Sequence, residues 1–265
     1  MQLVDIGINL THDSYDRDRA SVVRRALEVG VTRMIVTGAS LESTRAAIGL
    51  ARALPAVLRA TAGVHPHHAV DLDAPALAEL TALAAEPEVA AIGECGLDYH
   101  RNLSRPEAQR RAFHRQLELA AAVGKPLFLH QRDAHADFVA ILREHLPRLG
   151  RAVAHCFTGN RDELLEYLDL GLYVGVTGWI CDERRGAHLR ELVRLVPAGR
   201  LMLETDGPYL LPRDLVPKPA SRRNEPTYLP HIAAVIAHER SETIETLARH
   251  TSATAVEFFD LKLSP

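Results

Sequence analysis

Short apolar runs alternate with longer amphipathic segments along the whole chain, and this rhythm constrains the fold more than any single residue does. Eight runs read as strands, over 2–8, 32–37, 58–63, 89–94, 126–130, 152–155, 172–176 and 200–204. Between and after them lie segments with helical periodicity, over 16–29, 42–53, 73–85, 104–123, 134–145, 160–169, 184–195 and 228–239. The strands are nearly continuous in apolar character, which predicts a parallel sheet covered by helices. An open doubly wound sheet and a closed barrel both satisfy that pattern. Eight units of roughly 30 residues match the usual (β/α)8 barrel of about 250 residues, so a single α/β domain of TIM-barrel type is expected over residues 1–265. A further amphipathic stretch, 243–259, predicts one added helix.

Two local signals refine this reading. The helix at 104–123 carries an apparent capping box, Ser104 with Glu107, and Gly124 ends it before Pro126. The stretch from Asp206 to Pro230 breaks the rhythm with six prolines and with Arg213, Lys218, Arg222 and Arg223. A loop of that length in a compact domain is usually functional, and its prolines favour order.

The polar residues decide what such a barrel can do. Asp5 lies in strand one, His65 just past strand three and Glu94 at the end of strand four. His130 closes strand five, His155 closes strand six and Asp206 follows strand eight. Their spacings amount to whole strand–helix units, so all six are expected at the C-terminal mouth, where barrel active sites sit. Glu94, His130, His155 and Asp206 form a mixed oxygen and nitrogen set suited to a divalent metal. Asp206 is the candidate to orient or deprotonate a water, and Glu94 the candidate to bridge a second ion. Cys95 and Cys156 each follow a proposed ligand, and strand alternation points both toward the helices as core residues. A net charge of −3 gives no basic face, so attraction for a phosphate polymer has to come from local arginines, with Arg101, Arg222 and Arg223 as candidates, and from bound cations. No apolar run is long enough to span a membrane, no signal peptide is apparent, and three cysteines suit a reducing cytoplasm. A cytoplasmic monomer is expected.

The stretches DIGINLT (5–11), TAGVHPH (61–67), AIGECGLDYHRN (91–102), LHQRDAH (129–135) and HCFTG (155–159) resemble the TatD family of metal-dependent nucleases. So do TGWICDERRG (177–186), ETDGPYLLPRDL (204–215) and KPASRRNEP (218–226), and the resemblance spans nearly the whole chain. It implies a distorted TIM barrel with a divalent metal, Mg²⁺ for preference, and 3′→5′ exonuclease action on single-stranded DNA and RNA in DNA repair. By position, Glu94, His130 and His155 match metal ligands, Asp206 the catalytic aspartate near the metal, and His65 a phosphate-contacting histidine. Most relatives open with Asp-x-His-x-His, whereas Gly7 and Asn9 stand at those two positions here. One strong and one weak metal position follow, and histidine restored at both would be expected to tighten Zn²⁺ or Mn²⁺ binding. Two other readings stay open at this point. One is a metal-dependent amidohydrolase or aminoacyl-tRNA deacylase on the same barrel. The other is a nonhydrolytic nucleic-acid-binding protein with a structural metal.

Overall fold

In the computed structural model, which describes residues 1–261, eight parallel strands pair in strict chain order. They are β1 (Leu3–Ile8), β2 (Val31–Val36), β3 (Leu58–Ala62), β4 (Val89–Asp98), β5 (Leu127–Arg132), β6 (Ala152–Ala154), β7 (Tyr173–Val176) and β8 (Leu201–Leu203). The ring closes just beyond β8. Asp206 N donates to Gly7 O at 2.8 Å, and Asn9 N donates to Gly207 O at 2.8 Å. The closed barrel, not the open sheet, is the architecture.

Helices α1 (Arg19–Glu28), α2 (Leu41–Ala53), α3 (Ala74–Ala84), α4 (Pro106–Val123), α5 (His135–His145), α6 (Arg161–Asp169), α7 (Ala187–Leu192) and α8 (Leu229–Glu239) follow the strands in turn. Their starts obey local chemistry. Ser40 caps α2 and Asn160 caps α6, each with a reciprocal bond from the residue three positions on. The expected capping box at Ser104 is absent. Pro106 occupies the first turn of α4, Arg105 is the cap residue, and the Ser104 hydroxyl instead donates to His67 O at 2.9 Å. The expected helix over 184–195 is shorter, because Asp182 holds a turn there, accepting from Arg184 N at 3.1 Å while its own carbonyl accepts from Gly186 N at 2.7 Å.

Two apolar layers result. Leu3, Val31, Leu58, Ile92, Leu129 and Leu201 face the helices and fill the larger core. Val4, Ile6, Ile35, Phe128, Val153 and Met202 form a second cluster with Phe258 and Phe259, from the end of α9 (Ile244–Phe258). The added C-terminal helix therefore packs on the barrel rather than standing apart.

Asp5 does not reach the mouth of the barrel. It is fully buried, and its carboxylate ties β1 to the segment after β8. Oδ2 accepts from Thr205 Oγ1 at 2.5 Å, and Oδ1 accepts from Thr205 N at 2.9 Å and Gly7 N at 3.2 Å. Burial pushes its carboxyl up to about 7, against the hydrogen bonds from Thr205 that pull it down. Asp5→Ala should cost on the order of 2–4 kcal/mol, since it leaves buried donors unpaired. Asp5→Asn keeps the shape without the charge. The unfolded carboxyl loses its proton near 3.8 and the folded one near 7, so this group's contribution to stability falls as pH rises between those values. Urea unfolding at about pH 5 and about pH 8 should show Asp5→Asn gaining on the wild type as pH rises. A gap independent of pH would mean that Asp5 does not titrate in that window.

Candidate active site

Close approach of β4 and β5 sets the site. Gly93 has φ +140°, and a Cβ there would lie 2.1 Å from Phe128 O, so only glycine lets the two strands meet. Glu94 follows directly. Phe128 and His130 lie two apart on β5, which puts both on one face, and the Phe128 ring stacks on His155 with centroids 4.5 Å apart. The apolar barrel interior thus ends in a floor of imidazole and carboxylate.

Glu94 Oε1 is the centre. It lies 2.9 Å from His130 Nδ1, 2.8 Å from His155 Nε2 and 3.3 Å from His65 Nε2. Burial alone would raise this carboxyl. The charges of His155 and His65 and the hydrogen bonds from His130 and His155 prevail and hold it well below the usual carboxylate range. His155 moves the opposite way, for although burial disfavours its cation, Glu94 and Glu204 raise it well above an ordinary imidazole. His65 falls to about 4 through burial, with the neighbouring His130 adding to the effect. His67 N donates to His65 Nδ1 at 3.1 Å, which fixes the neutral tautomer. The proton therefore sits on Nε2, and His65 is a donor toward the centre.

Asp206 completes the arrangement from beyond β8. Asn9 Nδ2 donates to its Oδ1 at 3.0 Å, and desolvation, aided by Glu94 and Glu204, pushes its carboxyl up to about 7. These residues line a cavity of about 850 Å³ that also takes in Asn9, Arg101 and Trp179. His65, Glu94, His130, His155 and Asp206 are therefore brought together as the spacing predicts, and Arg101 lines the same cavity. Arg222 and Arg223 do not. Arg223 is engaged by Asp18 at 2.8 Å and Glu225 at 2.6 Å and lies over the Tyr15 ring, so it fastens the long loop to the start of α1, while Arg222 is exposed outside the cavity.

Three residues depart from the sequence reading. Cys95 is buried in the core as expected, but Cys156 lines the cavity. β6 ends at Ala154 and Cys156 has φ +47°, so strand alternation no longer governs its direction. Asp98 and Glu204 were missed. Asp98 is buried with Oδ2 2.9 Å from His67 Nε2 and 3.4 Å from His130 Nε2. Its carboxyl would be raised by burial, yet hydrogen bonds from His130, His67 and Arg101 N hold it far below the usual range. Glu204 is fully buried, lies 3.2 Å from His155 Nδ1, and accepts from Cys156 N. A carboxylate two residues before Asp206, opposite glycines on neighbouring strands, was the available signal.

Those glycines explain the departure at the start of the chain. A Cβ on Gly7 would fall 2.5 Å from Glu204 Oε2, and one on Gly175 would fall 2.5 Å from Glu204 Oε1. Glu204 already fills the room beside position 7. A histidine there would have to displace the Glu204 carboxylate before its ring could reach a metal.

The donor set suits a divalent cation. His65, Glu94 and His130 offer ligand atoms within 4.8 Å of one another. Comparison with known proteins agrees. The profile of the family described as TatD related DNase matches residues 4–260. The chain belongs to this family. It is 53% identical to the 3′-5′ ssDNA/RNA exonuclease TatD of Erwinia billingiae, over 98% of this chain and 99% of that one. The protein of the same name from Pantoea vagans is 54% identical over 98% and 100%. Among solved structures, the TatD homologue YJJV of Escherichia coli superposes with TM-score 0.88 at 26% identity over 98% of both chains. A TatD family hydrolase of Entamoeba histolytica gives 0.87 at 26% identity over 99% of both. The chain is accordingly a metal-dependent hydrolase of the nuclease type. A fold-level likeness extends to an N-isopropylammelide isopropylaminohydrolase from Burkholderia multivorans, with TM-score 0.61 at 17% identity, over 100% of this chain and 76% of that one.

Glu204 offers a direct check of how the site is held. A carboxylate on the far nitrogen of a ligating histidine fixes its tautomer, and loss of such a partner typically weakens metal binding by about 10–100-fold. Gly7→Ala, which pushes Glu204 away from His155, should reach that range for Mn²⁺ in calorimetric titration. Affinity equal to the wild type would show that Glu204 does not orient His155.

Proposed function

We propose that this protein is a metal-dependent 3′→5′ exonuclease acting on single-stranded DNA and RNA. The observation that carries the reading is the meeting of Glu94 with three imidazoles at the foot of an open cavity, with Asp206 alongside. The relatives bearing the name of such an exonuclease share more than half of their residues with this chain. We assign Glu94, His130, His155 and Asp206 as the residues that hold a divalent metal, Mg²⁺ for preference, because two carboxylates in a cavity open to water suit a hard cation that keeps several waters. When bound, the cation supplies positive charge that lowers the pKa of water and neutralises the attacked phosphate.

The protein's own groups supply the rest. His65 Nε2–H donates toward a phosphate oxygen, and its depressed pKa keeps the ring neutral at physiological pH. Arg101 lines the same cavity and offers a guanidinium for the neighbouring phosphate. Asn9 holds one oxygen of Asp206, which leaves the other to take a proton from the attacking water. The bond from phosphorus to the 3′ oxygen of the preceding nucleotide breaks, and that oxygen leaves with a proton. We take the protein to act as a monomer. Three free cysteines fit a reducing compartment, and we place the activity in the cytoplasm, trimming strand ends in DNA repair. Amidohydrolase or aminoacyl-tRNA deacylase action is the second reading, since the fold likeness reaches enzymes of that kind.

Single-stranded oligonucleotides labelled at either end separate these readings. With Mg²⁺, a 3′ label should leave at once as a mononucleotide while a 5′-labelled strand shortens gradually, and chelator should stop both. Asp206→Asn should bind strand normally yet lose about 10²–10⁴ in single-turnover rate. His130→Ala and His155→Ala should each lose most activity while still folded. Cleavage indifferent to chelator, or turnover of amide and aminoacyl-ester substrates in place of phosphodiesters, would refute the assignment.

A further inference from the structure

A second group of metal-ligating side chains lies outside the catalytic cavity. Cys181 ends the short turn Gly178–Cys181 that follows β7, Asp214 sits in the loop between β8 and α8, and His231 is in the first turn of α8. Each offers one ligand atom, and the three atoms lie within 4.8 Å of one another. None of the three lines the catalytic cavity. Cys181 is fully buried and free of any disulfide, while Asp214 and His231 are about two-thirds buried and meet at 2.7 Å.

We propose that Cys181, Asp214 and His231 form a zinc site that pins the β8–α8 loop to the turn after β7 and to the start of α8.

The chemistry of the donors selects the ion. One thiolate, one imidazole and one carboxylate form a borderline-soft set, which suits zinc and not magnesium. With bond lengths of about 2.0–2.3 Å, tetrahedral ligand atoms stand roughly 3.5 Å apart, so small side-chain shifts close the present spacing onto an ion. A water fills the fourth position. On binding, the Cys181 S–H bond breaks, its proton leaves to solvent, and the sulfur bonds to the metal as thiolate. Two anionic ligands then balance the dication. Burial, with Asp214 adjacent, raises the Cys181 thiol in the metal-free protein, so it is a protonated thiol until an ion arrives. Of the neighbouring arginines, Arg190 is turned toward Ile180 O at 3.4 Å and Glu239 at 4.0 Å, and Arg213 toward Asp182 at 3.7 Å. The group His114, Glu144 and His145 has similar spacing but a less favourable field, because the Arg148 guanidinium sits 3.2 Å from His145 Nδ1.

The position gives such an ion a use. Trp179 is two residues before Cys181, Leu210 is four before Asp214, and both line the catalytic cavity. Holding Cys181 to Asp214 fixes two walls of that cavity against each other.

Cobalt in place of zinc makes the test optical. The chelator-stripped protein, given excess Mg²⁺ for the nuclease site, is titrated with Co²⁺. A thiolate-to-cobalt charge-transfer band in the near ultraviolet should saturate at one equivalent and disappear when Zn²⁺ is added. It should persist in Cys156→Ala, which removes the thiol beside the catalytic centre, and vanish in Cys181→Ser. His231→Ala should weaken cobalt binding by roughly tenfold or more. Zn²⁺ should also raise the unfolding temperature of the wild type more than that of His231→Ala. No band in the wild type, a band surviving Cys181→Ser, or a band lost only in Cys156→Ala would overturn the proposal. If Cys181→Ser fails to fold, equal cobalt affinity in His231→Ala and wild type would do the same.

Discussion

A carboxylate enclosed at the end of an apolar barrel needs positive charge or hydrogen-bond donors around it, and Glu94 has three imidazoles. Much of the upper barrel follows from that need. Gly93 lets β4 and β5 approach so that Glu94 can sit over the axis, and Phe128 supports His155 from below. Asp98 and Glu204 then stand behind His130 and His155, so that each ring has a carboxylate on its outer nitrogen. Isolated buried charges are costly, whereas this lattice of alternating acid and imidazole distributes the charge and leaves a place for a dication.

The fold was legible because a buried parallel strand has to be apolar on both faces, and eight such runs at barrel spacing leave few alternatives. The grouping of the central polar residues was legible for a related reason. Strand ends on one barrel lie at one level, so Glu94, His130, His155 and Asp206 could be grouped without knowing any contact. Asp5 failed the same logic. It lies in the middle of β1, where its carboxylate is taken up by Thr205 of the segment after β8 before it reaches the mouth. Arg223 failed because charge in a long loop reads alike whether it faces a substrate or, as here, Asp18 and Glu225. Glu204 was hidden by a different limit. Its role depends on the empty space at Gly7 and Gly175, and absence of a side chain on two other strands is not a local pattern.

The replacement of two family histidines can now be read in terms of volume. Position 7 carries glycine. Its missing side chain makes room for Glu204, which changes the surroundings of His155, while Asn9 turns its amide to Asp206. The groups that meet there orient Asp206 and His155.

The seam between β1 and the segment after β8 joins residues 200 positions apart, through Asp5 and Thr205. During synthesis the N-terminal strands leave the ribosome first, and the loop that brings the ends together cannot close until Asp206 has emerged. Asp206 comes after about three-quarters of the sequence, so a nascent chain holds an incomplete centre for most of its time on the ribosome. The order of translation thus makes completion of the centre one of the last events of synthesis, however early the first strands have paired.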